Sequence, residues 1–213
     1  MKQPNILFIF SDDHAFQAIG AHQSWLQDFV SAQEITPHLD SLARDGAVFE
    51  RCYCGNSICA PSRATVLTGK HSHKNGVTDL DSDFDASQVQ FPALMQAAGY
   101  QTAMVGKWHL NNATPVGFDY WDILPGQGHY YQPDFITPDG TRRVEGYATD
   151  ITTDLALEWL DAGRDKASPF MLMLHHKAPH RTWQPPLHYL HYLDDVTVPE
   201  PPNLRDTYAN RAS

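Results

Sequence analysis

A cysteine, a proline, a serine and an arginine stand in fixed order at Cys59-Ala60-Pro61-Ser62-Arg63, followed by Thr68-Gly69. Pro61 suits the first helical position, where a missing N–H costs nothing, so the spacing predicts a helix that starts just behind Cys59. The free N–H groups and positive dipole end of such a helix favour a thiolate or an anionic substrate beside the cysteine. Arg63, one turn in, adds a bidentate donor for an oxyanion. A nucleophile precursor, an anion cradle and a guanidinium thus fall within one short segment.

Three further segments carry groups of the same kind. Asp12 and Asp13 are adjacent carboxylates that repel each other unless a cation lies nearby, and a hard divalent ion with oxygen ligands is the natural neutraliser. The plainer alternative is an Asp pair capping a turn. Lys107 and His109 face the same side if the chain stays extended. An ammonium beside an imidazole suits a sulfate or phosphate oxygen and a proton transfer, although isolated Lys and His residues usually lie on the surface without chemistry. His180 follows Ala178-Pro179, and spacing alone does not rank it above His14, His71, His73, His175 or His176. Tyr130, Tyr131 and Phe135 could stack on a sugar face or simply pack a loop. Cys52, Cys54 and Cys59 form an odd, clustered set, which is no disulfide framework, and their spacing departs from that of zinc sites.

The elements that must position these groups read as strand, loop, helix and strand in repetition, which predicts an α/β fold with a largely parallel sheet. Ile6 to Phe10 is a continuous apolar run, as expected for a strand buried on both faces. Thr36-Pro37 opens a helix with Leu39, Leu42 and Ala43 on one side and Gly46 at its end. Residues 47–54 read as the next strand, 62–67 as the helix after Cys59, 91–98 as a helix stopped by Gly99, and 102–105 as a short strand. Residues 111–145 are rich in Gly, Pro and aromatic residues, with a hairpin turn predicted at Pro138-Asp139-Gly140. Ile151, Leu155, Trp159 and Leu160 share one side of an amphipathic helix ending at Gly163. Residues 170–174 read as a buried strand, and 185–213 as a Pro-rich tail with little periodicity. Asp12-Asp13, Lys107 with His109, and His180 all fall just after apolar strands. Ligands of open α/β sheets bind at the carboxyl ends of the strands, so these distant segments are expected to converge.

The 213 residues are 42% hydrophobic and 19% charged, enough for one sizeable core. A net charge of −10 argues against a nucleic-acid partner. It does not exclude an anionic substrate, because a bound cation and a few local basic groups reverse the field inside one cleft. The run from Ile6 to Phe10 is too short to span a membrane and lacks the charged start and cleavage site of a secretory leader. Neither a membrane nor a nucleic acid is expected as a partner. The compartment stays open: cytoplasmic, or periplasmic or secreted if a leader was omitted.

Taken together, these segments resemble the formylglycine-dependent sulfatases of the alkaline-phosphatase-like superfamily. Pro4-Asn5-Ile6-Leu7 through Asp12-Asp13 is similar to the family's opening strand and metal pair. Thr36-Pro37-His38-Leu39-Asp40 resembles its first helix, and Cys59-x-Pro61-Ser62-Arg63 with Thr68-Gly69 its modification signature. Gly106-Lys107-Trp108-His109-Leu110 and Ala178-Pro179-His180 resemble two further active-site segments. The resemblance implies an alkaline-phosphatase-like α/β sandwich with a mostly parallel central sheet flanked by helices. It implies that a separate maturation enzyme oxidises Cys59 to formylglycine, whose hydrate is the nucleophile. Asp12 and Asp13, with that residue, would bind calcium. Arg63 would hold the hydrated formylglycine and Lys107 the sulfate. His109 would contact the nucleophile and help to release sulfate, and His180 would protonate the leaving alcohol. A narrower resemblance, to bacterial N-acetylglucosamine-6-sulfatases, rests on Leu124-Pro125-Gly126-Gln127-Gly128 with Tyr130-Tyr131 and Pro133-Asp134-Phe135, on His176-Lys177-Ala178-Pro179-His180-Arg181, and on Leu193-Asp194-Asp195. It implies a sulfated carbohydrate as substrate.

Family members continue with a second calcium segment and another lysine that residues 181–213 do not match. Residues 1–213 are therefore expected to be the N-terminal portion of a sulfatase catalytic domain, without its later strands and C-terminal subdomain and inactive alone. A phosphatase or phosphonate hydrolase of the same fold is the alternative enzyme. A non-catalytic relic that binds sulfated glycan is the alternative outside catalysis. A thiol hydrolase using unmodified Cys59 ranks last, since no His–Asn or His–Asp arrangement for it is apparent.

Overall fold

Four apolar segments pair side by side in one direction in the computed structural model, which describes residues 3–111 and 113–209. The strands are β1 (Ile6–Phe10), β2 (Gln101–Lys107), β3 (Tyr120–Leu124), β4 (Asp134–Thr137), β5 (Gly140–Arg143) and β6 (Phe170–His175). They lie in the order β1-β6-β2-β3-β4-β5; β1, β6, β2 and β3 are parallel, and β4 and β5 form an antiparallel hairpin at one edge. The helices are α1 (Gln27–Ala32), α2 (Pro37–Asp45), α3 (Cys59–Thr68), α4 (Ser72–Asn75), α5 (Phe91–Ala97) and α6 (Ala148–Asp161). The chain divides into two compact units. One is Met1–Asp13 with Tyr53–Gln184 and holds the whole sheet; the other is His14–Cys52 with Pro185–Ser213 and holds α1 and α2.

The period of two along the central strands sends alternate side chains to opposite faces. Met104 of β2 and Met171 and Met173 of β6 pack with Ala60, Ala64 and Leu67 of α3 on one face. Ala103 and Val105 of β2 and Leu172 and Leu174 of β6 pack with Ala156 and Trp159 of α6 on the other. This mostly parallel sheet between helical layers is the expected architecture. Close approach of β2 to β6 and α6 depends on Gly106, at φ 100, where an added Cβ would lie 2.0 Å from the His175 carbonyl oxygen of β6 and 2.8 Å from Thr152 Cγ2 of α6. No helix among the described residues is long and apolar enough to cross a membrane.

Several local expectations need correction. Residues 47–54 form no strand. α3 starts at Cys59 itself, so Pro61 occupies the third helical position; its missing N–H is still one of the four that a helix start leaves unpaired. β1 is not buried on both faces: Ile6 and Phe8 pack on the α3 side, but Leu7 and Ile9, on the opposite face, are each 49% exposed. Residues 120–124, assigned to a loop-rich stretch by composition, form β3. The inward stripe of α6 is Ala148, Thr152, Ala156 and Trp159, with Ile151, Leu155 and Leu160 half-buried beside it.

Candidate active site

Two backbone hydrogen bonds assemble the centre of the site. The His176 N–H donates to the Phe10 carbonyl at 2.8 Å, and the Asp12 N–H donates to the Ala178 carbonyl at 3.1 Å. The loops leaving β1 and β6 are thereby tied together, bringing Asp12 and Asp13 to His180. Asp13 adopts φ 58, a left-handed conformation that Asp tolerates better than most residues. Its carboxylate lies 3.6 Å from His180 Nε2.

The start of α3 supplies the next two groups. Cys59 Sγ lies 3.6 Å from Asp12 Oδ1. Arg63, one turn on and 3% exposed, reaches across to three strand ends. Its guanidinium donates to Asp12 Oδ2 at 3.0 Å and to the Lys107 carbonyl at 2.5 Å, and it lies 3.0 Å from His175 Nδ1. Lys107 is the last residue of β2 rather than part of the loop beyond it, and it is fully buried. Its ammonium pairs with Asp12 Oδ2 and donates to Gln127 Oε1 at 2.5 Å. Asp12, Cys59 and His180 offer one ligand atom each within 4.8 Å of one another.

His109 is placed differently. Its backbone turns to φ 52, so the extended alternation with Lys107 fails. The ring borders a hollow of about 370 Å³ lined also by Trp108, Leu110 and Pro125, and its buried Nδ1 has no hydrogen-bond partner among the described residues. Burial, reinforced by the charges of Lys107 and Arg63, lowers its pKa to about 4, so the imidazole is neutral at pH 7. His109 thus lies in the field of the cluster without a hydrogen bond to it.

The electrostatics separate the acid from the thiol. Burial alone would raise the Asp12 pKa, but the Lys107 hydrogen bond and the charges of Arg63 and Lys107 outweigh it and hold the carboxyl below its usual value. Burial pushes the Cys59 thiol up, with Lys107 and Arg63 opposing and Asp12 and Asp13 reinforcing. A thiolate favoured by the helix start is therefore not what forms; Cys59 is a neutral thiol.

Three residues that the sequence reading named without giving them a role take part as well. Gln127 sits between Gly126 and Gly128, both at positive φ, in a loop tight enough to aim it at Lys107. His175 ends β6 with its ring packed inward against Phe10 and Arg63. Lys177 lies just beyond it, 6% exposed, with Nζ 4.8 Å from the centre of the Tyr130 ring. A signal for His175 and Lys177 was their position at a strand's carboxyl end, shared with His180. Tyr130 and Phe135 prove to be packing residues: both are buried, and the Tyr130 hydroxyl donates to the His180 carbonyl at 2.5 Å. Cys52 and Cys54 are exposed free thiols.

The sulfatase family profile matches residues 4–212, and the chain belongs to that family. It is 49% identical over 99% of its length to an N-acetylglucosamine-6-O-sulfatase of Bacteroides thetaiotaomicron, covering 37% of that protein. It superimposes with a TM-score of 0.92 at 47% identity on the structure of BT4656 in complex with its substrate D-glucosamine-2-N,6-O-disulfate, over 99% of this chain and 42% of the other. A phosphonate monoester hydrolase of Agrobacterium radiobacter shares the fold, with a TM-score of 0.63 at 21% identity over 89% of this chain and 44% of the other. The chain thus spans about two-fifths of the length of the first two proteins.

The donor chemistry can be tested against the metal that the family resemblance implies. Asp12 Oδ2 is held by Arg63 and Lys107, while Oδ1 faces Cys59; the Asp13 carboxylate, 54% exposed, faces His180. Carboxylate oxygens suit calcium, whereas thiol sulfur does not. The site therefore fits calcium once position 59 presents oxygen.

Proposed function

We propose that this chain supplies the nucleophile, the sulfate-holding cations and the leaving-group acid of a sulfatase acting on 6-O-sulfated N-acetylglucosamine or a related sulfated glycan. The observation that carries the reading is the convergence of Asp12, Cys59 and His180 within 4.8 Å, with Arg63 and Lys107 locked against Asp12. The glycan is proposed because the Bacteroides relative is named for that sugar.

A neutral thiol at Cys59 is a weak nucleophile. Conversion by a maturation enzyme to formylglycine would supply, on hydration, one hydroxyl to attack sulfur and a second whose deprotonation expels sulfate. Calcium, held by Asp12, Asp13 and oxygen at position 59, would add positive charge at the sulfuryl oxygens. Because calcium takes about six to eight oxygens, more than these positions offer, the activity is assigned to a protein of the relatives' length. The 213 residues alone are expected to be inactive.

The chain's own groups divide the remaining tasks. Arg63 fixes the Asp12 carboxylate and the helix that carries position 59. Lys107 presents preorganised charge to the sulfuryl group. His180 Nδ1–H donates to the Arg181 carbonyl at 2.6 Å, so Nε2, beside Asp13, is the atom that would take up a second proton and, from the imidazolium, pass it to the departing alcohol. The neutral imidazole of His109 is suited to accept a proton from the hydrate.

The gene-encoded protein, co-expressed with a formylglycine-generating enzyme, should show an aldehyde in place of the thiol when the Cys59 peptide is analysed by mass spectrometry. It should release sulfate from N-acetylglucosamine 6-sulfate, and Cys59→Ala should abolish that release. Full turnover with an intact thiol or in the alanine variant, or a preference for phosphate esters, would overturn the reading.

A further inference from the structure

The three buried cations of the site are not equally engaged. Arg63 is held by Asp12, the Lys107 carbonyl and His175, and Lys107 by Asp12 and Gln127. Lys177 is the exception: its ammonium makes no hydrogen bond or ion pair with any described residue and rests only on the face of Tyr130. A neutral ring face replaces little of an ammonium's hydration, so the charge is left to whatever occupies the cleft in front of it. The residue borders a cleft of about 390 Å³ shared with Gln127, Tyr130, His180 and Arg181. Its charge interacts with Lys107, Asp12 and Cys59, which places it beside the reacting centre rather than on a remote wall.

We infer that Lys177 is a sulfate-binding residue, whose ammonium donates to a non-bridging oxygen of the scissile sulfate from the His180 side of the cleft. The inference rests on the function proposed above. An anion there would meet a cation that no carboxylate has already neutralised, whereas Lys107 must share its charge with Asp12. The Tyr130 face lies 4.8 Å from the ammonium and holds it in place.

Inorganic sulfate and inorganic phosphate, titrated by calorimetry, test this on the gene-encoded protein in its thiol form. Lys177→Met should weaken the affinity about tenfold or more, the loss of one charge-assisted hydrogen bond. Lys177→Arg should restore most of it. Unchanged affinity in a folded Lys177→Met variant would overturn the inference. Should that variant not fold, acylation of the unmutated protein decides: sulfate should slow the labelling of Lys177 severalfold but not that of exposed Lys166, and equal labelling would overturn it. A protein that turns over phosphate esters instead would sink the sulfatase reading, and the phosphate titrations would still decide the role of Lys177.

Discussion

The two carboxylate oxygens of Asp12 face different neighbours. Oδ2 is shared by Arg63 and Lys107, and Oδ1 meets the Cys59 thiol. One residue therefore both neutralises two buried cations and raises the proton affinity at position 59. Asp12→Asn would leave both cations without their anion. Breaking one side of a buried ion pair costs about 3–5 kcal/mol, so the variant should unfold at markedly lower urea concentration. Asp12 is also among the groups that hold the proton on Cys59. The variant's thiol should thus be alkylated faster at a given pH near neutrality; a rate unchanged from the parent would show that Asp12 does not govern it. Each of these residue types was readable in the sequence as a candidate. That Asp12 is engaged on both oxygens was not, because it depends on which strand ends become neighbours.

At the scale of elements, the site exists because β1, β6 and β2 are parallel neighbours whose carboxyl ends meet the start of α3. Gly106 controls that meeting. With an added Cβ 2.0 Å from the His175 carbonyl oxygen and 2.8 Å from Thr152 Cγ2, β2 could not keep its place beside β6 and against α6. Gly106→Ala should destabilise by about 3 kcal/mol or more, the mark of a backbone clash at a strained φ, read as a fall in thermal midpoint. Gly99→Ala offers a control: its φ of 89 is also positive, but no atom lies within 4 Å of the added Cβ, so it should cost less. An equal loss in both would assign the effect to backbone conformation rather than to crowding. The apolar runs made β1, β2 and β6 legible, since strands packed on by helices read as continuous hydrophobic segments. β3 was hidden because Tyr120, Trp121 and Asp122 interrupt that pattern, and Asp122 is buried only by pairing with Arg142 of β5. The start of α3 was misread by two residues because proline is tolerated anywhere in the first turn.

At the scale of the whole molecule, a chain of net charge −10 encloses Arg63, Lys107 and Lys177 around its candidate site, so the overall charge says little about what that site binds. The buried ionisable groups give the molecule a bounded range of pH stability. Burial lowers the pKa of His14, His175 and His176, and that of His109 to about 4. In the unfolded chain these imidazoles take up protons near pH ~6.5. Between that pH and the folded values the unfolded state binds more protons, so stability is complete above about pH 6.5 and falls as the pH drops. Asp12, held below its usual value, extends the loss to lower pH. Asp122, raised by burial against the pull of Arg142, works in the opposite sense and blunts the loss. On the alkaline side, burial raises Tyr120 and Tyr130 to about 12. Unfolded tyrosines ionise near pH ~10, so above that the folded state binds more protons and stability declines again. Urea midpoints should therefore rise between about pH 4.5 and 6.5, stay level to about pH 8.5, where unfolded cysteine ionises while burial keeps the proton on Cys59, and fall beyond it. Tyr120→Phe should make the alkaline limb shallower, with Tyr130 still contributing, while leaving the acid limb in place, because the two limbs belong to different groups. An acid limb absent from the parent would mean that the buried imidazoles are already protonated in the folded state, and with that the neutral His109 assigned to the site would be lost.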